Sequence, residues 1–104
     1  MDRFDQLLAT IIERRSADPA SSYVAKLTAK GRAKLAQKLG EEAVEVVIAA
    51  VENDRADLVS ESADLIFHLA LLLADMGLSF DDIRTELARR EGVSGIDEKA
   101  GRKG

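Results

Sequence analysis

The chain has 104 residues, of which 46% are apolar and 33% are charged, a composition that fits one folded domain and excludes a disordered chain. It contains no cysteine, which excludes disulfides and thiolate metal sites, and its net charge of −4 argues against nucleic acid as the main partner. The N-terminus lacks a signal-like apolar run, and no stretch reaches the ~20 apolar residues of a membrane span, so we expect a cytoplasmic protein that does not enter membranes.

Helix is predicted throughout the folded part, because Ala, Leu, Glu, Lys and Arg are abundant, there is one proline, and no window alternates with period two. The first helix should run from about Asp2, its cap, to Arg15. After a loop, a short helix is predicted through Tyr23 and Ala29, and Gly31 should end or bend it.

Three more helices are predicted in the second part of the chain. A long helix should run from about Arg32 to Glu52, followed by a tight turn at residues 53 and 54. The next helix should end at about Met76, where Gly77 can adopt the left-handed conformation. Ser79 then caps the last helix.

These elements predict an all-α fold of four to five helices, an antiparallel bundle over residues 1–92, with residues 93–104 as a mobile tail. The two central helices are apolar over most of their circumference, and such helices are buried on several sides. The apolar positions are Leu35, Leu39, Val44, Val46, Val47, Ile48 and Val51 on one helix and Leu65, Ile66, Phe67, Leu69, Leu71, Leu72 and Leu73 on the other. We therefore expect a homodimer that completes the bundle.

Two pairs of acidic residues stand out against this apolar background. Glu42 and Glu45 are spaced i, i+3 on one helix, and Glu61 and Asp64 have the same spacing on the next. If the two helices fold back at the turn near Asp54, both pairs fall within about one helical turn, or ~5 Å along the axis, of each other. The pattern therefore predicts four converging carboxylates.

Four carboxylates held together would repel one another, and a hard divalent cation removes that cost. All-oxygen ligands select Mg²⁺, with Mn²⁺ as a substitute and Ca²⁺ as a weaker alternative. A single Glu pair on a helix is usually a solvated face, so the prediction depends on two matched pairs. Asp57 is explained as a capping residue, and Asp75 as an exposed residue at a helix end.

Lysines recur at intervals of four before the acidic segment, at Lys26, Lys30, Lys34 and Lys38. Such a row suits a polyphosphate, although salt bridging within the helix is the alternative. Two further candidates follow from single residues. His68 continues the acidic face, as a phosphate contact or a partner of the ligands, although a lone His is more often structural; Tyr23 could stack on a ring or be buried in the core.

The segment from Glu42 to Asp64 resembles the metal signature of the MazG-like all-α nucleoside triphosphate pyrophosphohydrolases. Residues 22–27 (Ser-Tyr-Val-Ala-Lys-Leu), Lys30-Gly31 and residues 37–50 resemble, more specifically, the phosphoribosyl-ATP pyrophosphohydrolase family. Residues 63–69 and 77–79 match as well, so the resemblance covers roughly residues 4–91. One departure is Arg32, where the family often has proline, and the companion cyclohydrolase domain of some relatives is absent.

The resemblance implies hydrolysis of phosphoribosyl-ATP to phosphoribosyl-AMP and pyrophosphate, the second step of histidine biosynthesis. Glu42, Glu45, Glu61 and Asp64 would hold one or more Mg²⁺ ions and are the metal ligands we predict. Glu41 would orient or deprotonate the attacking water or ligate a second metal, and the predicted catalytic residues are Glu41, Glu42 and Glu45. The predicted substrate-binding residues are Tyr23, Lys26, Lys30, Lys38 and His68.

Two rival functions are left open. A house-cleaning or dUTP-type pyrophosphohydrolase of the same superfamily shares the carboxylates but has no need of the segment with Tyr23, Lys26 and Lys30. A non-enzymatic helical interaction module would show no Mg²⁺ dependence and release no pyrophosphate. A ferritin-like redox bundle is disfavoured because neither helix carries a Glu-x-x-His ligand motif.

Overall fold

A computed structural model of the chain describes residues 1–92, and within that range it contains five helices and no strand. The helices are α1 (Arg3–Arg14), α2 (Tyr23–Ala29), α3 (Arg32–Val51), α4 (Arg55–Met76) and α5 (Phe80–Arg90). The predicted all-α fold is confirmed, with helix bounds within one or two residues of those expected. The predicted tail, residues 93–104, lies outside the described residues.

Side-chain caps begin four of the helices. Asp2, Ser22, Asp54 and Ser79 each accept a hydrogen bond from the backbone N–H three residues later. These bonds satisfy donors that the first turn of a helix leaves without partners. The sequence therefore determines where α1, α2, α4 and α5 start.

The turns after α3 and α4 both use a residue with a left-handed backbone. Asn53 has φ 55°, and the N–H of Asp54 donates to the Ala49 carbonyl at 3.0 Å. Gly77 has φ 70°, and the N–H of Leu78 donates to the Leu73 carbonyl at 2.8 Å. These bonds satisfy carbonyls that a helix end would otherwise expose, and the first turn folds α3 back onto α4.

The hydrophobic core lies around the C-terminal half of α4. It contains Leu8 and Ile11 of α1, Val24 and Leu27 of α2, Leu35 of α3, Ala70, Leu71, Leu73 and Ala74 of α4, and Phe80 of α5. Helix α3 contacts α4 more extensively than any other pair of helices in residues 1–92 make contact. Because α1, α2 and α5 cover only one end of this hairpin, its other end protrudes.

The protruding end of the hairpin is apolar and exposed. Val44, Val47, Ile48 and Val51 occupy one stripe of α3, and their exposed fractions run from 43% to 82%. Val59 of α4 is 72% exposed at the same end. The prediction that these helices are buried on several sides therefore does not hold within one chain.

Asp75 corrects another expectation, because it is not exposed. Its side chain is 16% exposed and forms ion pairs with Arg15 and Arg32. Arg32, the first residue of α3, therefore pairs with the end of α4. Within residues 1–92 no single helix is long and apolar enough to cross a membrane; α4 and α5 pass that test only as a pair bent by 103°.

Two glycines predict opposite responses to the same substitution. Gly77→Ala should cost about 1 kcal/mol of unfolding free energy, because an L-residue is strained at positive φ. Gly40→Ala, in the interior of α3, should instead stabilise by up to about 1 kcal/mol, because nothing lies within 4 Å of the added methyl. Denaturant unfolding measures both, and equal signs for the two variants would contradict the described backbone.

Candidate metal centre

Three carboxylates converge where α3 and α4 face each other. One carboxylate oxygen from each of Glu42, Glu61 and Asp64 lies within 4.8 Å of the other two. Glu42 and Glu61 are half-buried and Asp64 is exposed, so the group is open to solvent on one side. The fold-back at Asn53 places Glu42 beside Glu61 and Asp64, so members of both acidic pairs lie together at this level of the hairpin.

The local environment raises the pKa of Glu61 above its ordinary value. Partial burial is the largest cause, followed by repulsion from Asp57, Asp64, Glu42 and Glu45. The folded chain therefore holds negative charges closer together than they would be in the unfolded chain. A cation between them would remove this cost.

The structure differs from the predicted four-carboxylate set in two ways. Glu45 repels Glu61 electrostatically but is not among the three residues whose oxygens converge. Asp57 was explained as a capping residue alone, yet after burial its charge is the largest cause of the raised pKa of Glu61. It lies one helical turn before Glu61, and that i, i+4 spacing was the available signal in the sequence.

Glu41 points toward α3's own polar side chains. Gln37 Nε2 donates to Glu41 Oε2 at 2.9 Å, and Lys38 Nζ lies 3.7 Å from Glu41 Oε1. The Gln37 hydrogen bond, followed by the charges of Lys38 and Lys34, lowers the pKa of Glu41. A carboxylate with a lowered pKa is a weaker base, so Glu41 is better suited to orienting a water molecule than to deprotonating it.

The predicted substrate residues of α2 are accessible. Lys26 and Lys30 are exposed, and neither forms an ion pair with another residue in the described range 1–92. Lys38 is half-buried beside Glu41. The ammonium groups of Lys26 and Lys30 therefore remain available to an anion, whereas that of Lys38 is paired with Glu41.

Tyr23 stacks on α4 close to the carboxylates. Its ring lies 6.1 Å from that of Phe67, at an interplanar angle of 15°, and Tyr23 is still 56% exposed. Phe67 follows Asp64 at i+3, so the two share a helix face about 5 Å apart along the axis. Tyr23 is therefore an accessible aromatic surface stacked on a residue that lies one turn from Asp64.

A cleft of about 580 Å³ opens beside these rings and is lined in part by Arg14, Ser22, Tyr23 and Phe67. Neither Arg14 nor Phe67 was singled out from the sequence, because Phe67 reads as a core residue and Arg14 as a helix-end charge. Another cleft of about 640 Å³ lies between α1 and α4 and contains none of the three carboxylates.

His68 is in the core, not at the surface. It is 6% exposed, its Nδ1 donates to the Asp64 backbone carbonyl at 2.9 Å, and its Nε2 is buried with no partner in the described range. The imidazole ring also meets Phe67 edge-on at 5.2 Å. This buried position disfavours direct contact with a phosphate and fits either a structural role or the role of partner to a ligand residue.

The group of three carboxylates has the donors that a hard divalent cation requires. Every candidate donor atom is a carboxylate oxygen, and two of the residues are half-buried. Repulsion between the carboxylates contributes to the raised pKa of Glu61. Ions such as Mg²⁺ bind through one or a few carboxylates and keep other positions for water and phosphate oxygens. The residues present therefore fit such an ion.

Comparison with known proteins gives a consistent assignment. Residues 4–91 match the family model described as phosphoribosyl-ATP pyrophosphohydrolase. Curated relatives named phosphoribosyl-ATP pyrophosphatase include one from Rhizorhabdus wittichii, 61% identical over 94% of this chain and 92% of the relative. One from Novosphingobium aromaticivorans is 62% identical over 93% and 91%, and one from Rhodobacter capsulatus is 55% identical over 98% and 99%.

The repulsion at Glu61 predicts that the carboxylates lower the stability of the metal-free fold and favour the binding of a cation. In metal-free buffer Glu61→Gln should raise the melting temperature, because it removes one of several carboxylates that repel each other. Adding Mg²⁺ should raise the melting temperature of the unsubstituted protein more than that of the variant. Differential scanning fluorimetry with EDTA or Mg²⁺ measures both effects.

Glu86→Gln is the matched control for that substitution. Hydrogen bonds from Arg89 and Arg90 lower the pKa of Glu86 to about 2. This carboxylate therefore stabilises the folded chain at any pH above its ordinary pKa of 4.5. That stability is lost as the pH falls from 4.5 toward about 2. The control should therefore lower the melting temperature at pH 7 and leave the response to Mg²⁺ unchanged; equal behaviour of the two variants would contradict a cation site at Glu61.

Proposed function

The chain belongs to the phosphoribosyl-ATP pyrophosphohydrolase family, and from that premise we propose that it hydrolyses phosphoribosyl-ATP to phosphoribosyl-AMP and pyrophosphate, the second step of histidine biosynthesis. The observation that carries the proposal is the convergence of Glu42, Glu61 and Asp64 on one side of the α3–α4 hairpin. A biosynthetic step on a free nucleotide also supports a cytoplasmic location.

Glu42, Glu61 and Asp64 would hold Mg²⁺, with Mn²⁺ as a substitute, and Glu45 would complete the ligand set. When bound, the ion neutralises phosphate charge and lowers the pKa of water. The electrostatic influence of Glu45 on Glu61 supports its inclusion. Because Asp57 also faces Glu61, it would add negative potential behind the ligands without touching substrate.

The chain's own residues would then act on the triphosphate and the water. Lys26, Lys30 and Lys38 would contact phosphate oxygens, each as a point charge with three N–H donors. Glu41, held by Gln37, would orient the attacking water toward the phosphoanhydride bond. The water oxygen forms the new bond to phosphorus, the anhydride P–O bond breaks, pyrophosphate leaves and the proton lost by the water passes to solvent.

The cleft beside Tyr23 would receive the ring part of the substrate. The exposed face of Tyr23, stacked on Phe67, offers an aromatic surface for a purine, and Arg14 lines the same cleft. His68 would contribute through its hydrogen bond to the Asp64 carbonyl. Such contacts far from the cleaved bond distinguish phosphoribosyl-ATP from a smaller nucleotide.

A homodimer would cover the exposed apolar stripe of α3. Val44, Val47, Ile48 and Val51 lie on one face of that helix, and Val59 of α4 is close to the same end of the hairpin. Two copies packing these stripes together would form a larger helical bundle. The carboxylate group lies on the same hairpin, so the partner would be near the site.

Asp64→Asn should reduce the rate of pyrophosphate release by about 10²–10³-fold, because it weakens both charge and metal binding at the reacting phosphates. Glu45→Gln should reduce it as well. Glu13→Gln, an exposed carboxylate on α1, is the control and should keep full activity. The assay compares phosphoribosyl-ATP, ATP and dUTP with and without Mg²⁺; full activity of Asp64→Asn at limiting Mg²⁺ would refute the assignment.

Val47→Asp should convert the dimer to monomers, because it places a charge in the centre of the apolar stripe. Leu87→Asp is a matched control on α5, since Leu87 is 62% exposed and Val47 is 60% exposed. Light scattering at micromolar concentration gives the mass of each variant. A monomeric unsubstituted protein, or a dimer that survives Val47→Asp, would contradict the proposed interface.

A further inference from the structure

Asp75, at the end of α4, joins two arginines that are far apart in the chain. Arg15 Nη2 donates to Asp75 Oδ1 at 3.0 Å, and Arg32 Nε donates to Asp75 Oδ2 at 2.8 Å. Each guanidinium also binds the backbone of α4, from Arg15 Nη1 to the Ala74 carbonyl at 3.1 Å and from Arg32 Nη2 to the Asp75 carbonyl at 3.3 Å. The Asp75 carboxylate and two backbone carbonyls of α4 thus accept the hydrogen bonds of both guanidinium groups.

The two arginines mark the ends of one segment. Arg15 follows the last residue of α1, Arg32 is the first residue of α3, and residues 16–31 between them include α2. Both ends of this segment are therefore attached to the same point of α4. The attachment restricts how far the segment can move as a unit, since its two ends are fixed close together.

This segment contains three of the proposed substrate contacts, Tyr23, Lys26 and Lys30. Only Val24, Ala25 and Leu27 of α2 are buried, so one face of this short helix anchors it. A short helix has little stability of its own, and its position depends on packing and on its ends. The ion pairs at Asp75 supply the second constraint.

The Arg15–Asp75 pair is better shielded than an ordinary surface pair, whereas Arg32 is 57% exposed. The side chain of Asp75 is 16% exposed and that of Arg15 is 32% exposed, and Arg15 Nε is buried with no partner within residues 1–92. Partly buried pairs with two hydrogen-bonded partners are screened less by water than exposed pairs are. Loss of the carboxylate would leave two arginines without their shared acceptor.

The group of three carboxylates lies far from the ion pairs at Asp75. Asp75 follows Asp64 by 11 residues on the same helix, a separation of about 16 Å along the axis. A change at Asp75 should therefore leave cation binding intact. Its effect would reach the reaction only through the position of residues 16–31.

We propose that Asp75 is a positioning residue for substrate binding, which holds both ends of the segment 16–31 through Arg15 and Arg32 so that Tyr23, Lys26 and Lys30 face the triphosphate nucleotide. This inference rests on the proposed function, because the three contacts are assigned there. It adds a role for Asp75, Arg15 and Arg32, none of which touches substrate.

The test is Asp75→Asn, which keeps size and shape but removes the charge. The KM for phosphoribosyl-ATP should rise about tenfold while kcat stays within about twofold, because binding contacts are misplaced and the reacting group is not. The Mg²⁺ concentration for half-maximal rate should be unchanged. Asp75→Glu, which restores the carboxylate, should recover part of the loss in KM.

Arg84→Gln is the matched control for loss of an ion-pair hub. Arg84 binds Asp2, Asp5 and Asp81 at 2.6, 3.0 and 2.7 Å, and so ties α1 to α5 away from the segment 16–31. It should lower the melting temperature but leave KM unchanged. An equal rise in KM for Arg84→Gln and Asp75→Asn would show a general effect of stability and overturn the positioning role.

A second readout does not depend on activity. Under native conditions, tryptic cleavage after Lys26 and Lys30 should be faster in Asp75→Asn than in the unsubstituted protein, and unchanged in Arg84→Gln. Arg32→Gln removes only the more exposed of the two ion pairs at Asp75 and should fold readily. We expect it to have an intermediate effect on both tryptic cleavage and KM.

The outcomes separate the two proposals. No pyrophosphate from phosphoribosyl-ATP with the unsubstituted protein would overturn the proposed function and the positioning role together. Normal activity with an unchanged KM in Asp75→Asn and Arg32→Gln would overturn the positioning role alone. Unchanged tryptic cleavage in both variants would show that the ion pairs do not hold the segment.

Discussion

Repulsion between carboxylates across the α3–α4 hairpin is the constraint on which the rest of this structure depends. Glu42, Glu61 and Asp64 present oxygens within 4.8 Å of one another, and the pKa of Glu61 is raised by burial and by four neighbouring acids. The hairpin holds them there because a left-handed residue at Asn53 turns the chain and because the two helices pack along their length. Packing between the two helices thus holds together carboxylates that electrostatic repulsion alone would drive apart.

The distribution of apolar residues follows from this arrangement. The core lies around the C-terminal half of α4, where α1, α2 and α5 surround it, and the carboxylates lie toward the half that these helices leave uncovered. An open side is needed if a nucleotide is to reach the group. The stripe of valine and isoleucine on α3 is exposed at the same end of the hairpin, and an apolar patch of this kind is typical of an interaction surface.

Two hubs, each a charged residue that forms several ion pairs, connect the parts of the fold that hydrophobic contacts leave loosely joined. Arg84 links the start of α1 to α5, and Asp75 links both ends of the segment 16–31 to α4. Each hub joins residues that are far apart in the chain, so it restricts relative movement of helices more than an i, i+4 pair does. In a family member with proline at the position of Arg32, half of the Asp75 hub would be missing.

The helices, their caps and the two acidic pairs can be predicted from the sequence, because periodicity, capping residues and turn residues act over a few neighbouring positions. Tertiary structure alone decided which carboxylates meet. Glu45 remains outside the group and Asp57 contributes charge to it, since rotamers and helix rotation depend on packing. Likewise His68 is buried and Asp75 is paired with Arg15 and Arg32, because the helices that cover them come from the other end of the chain.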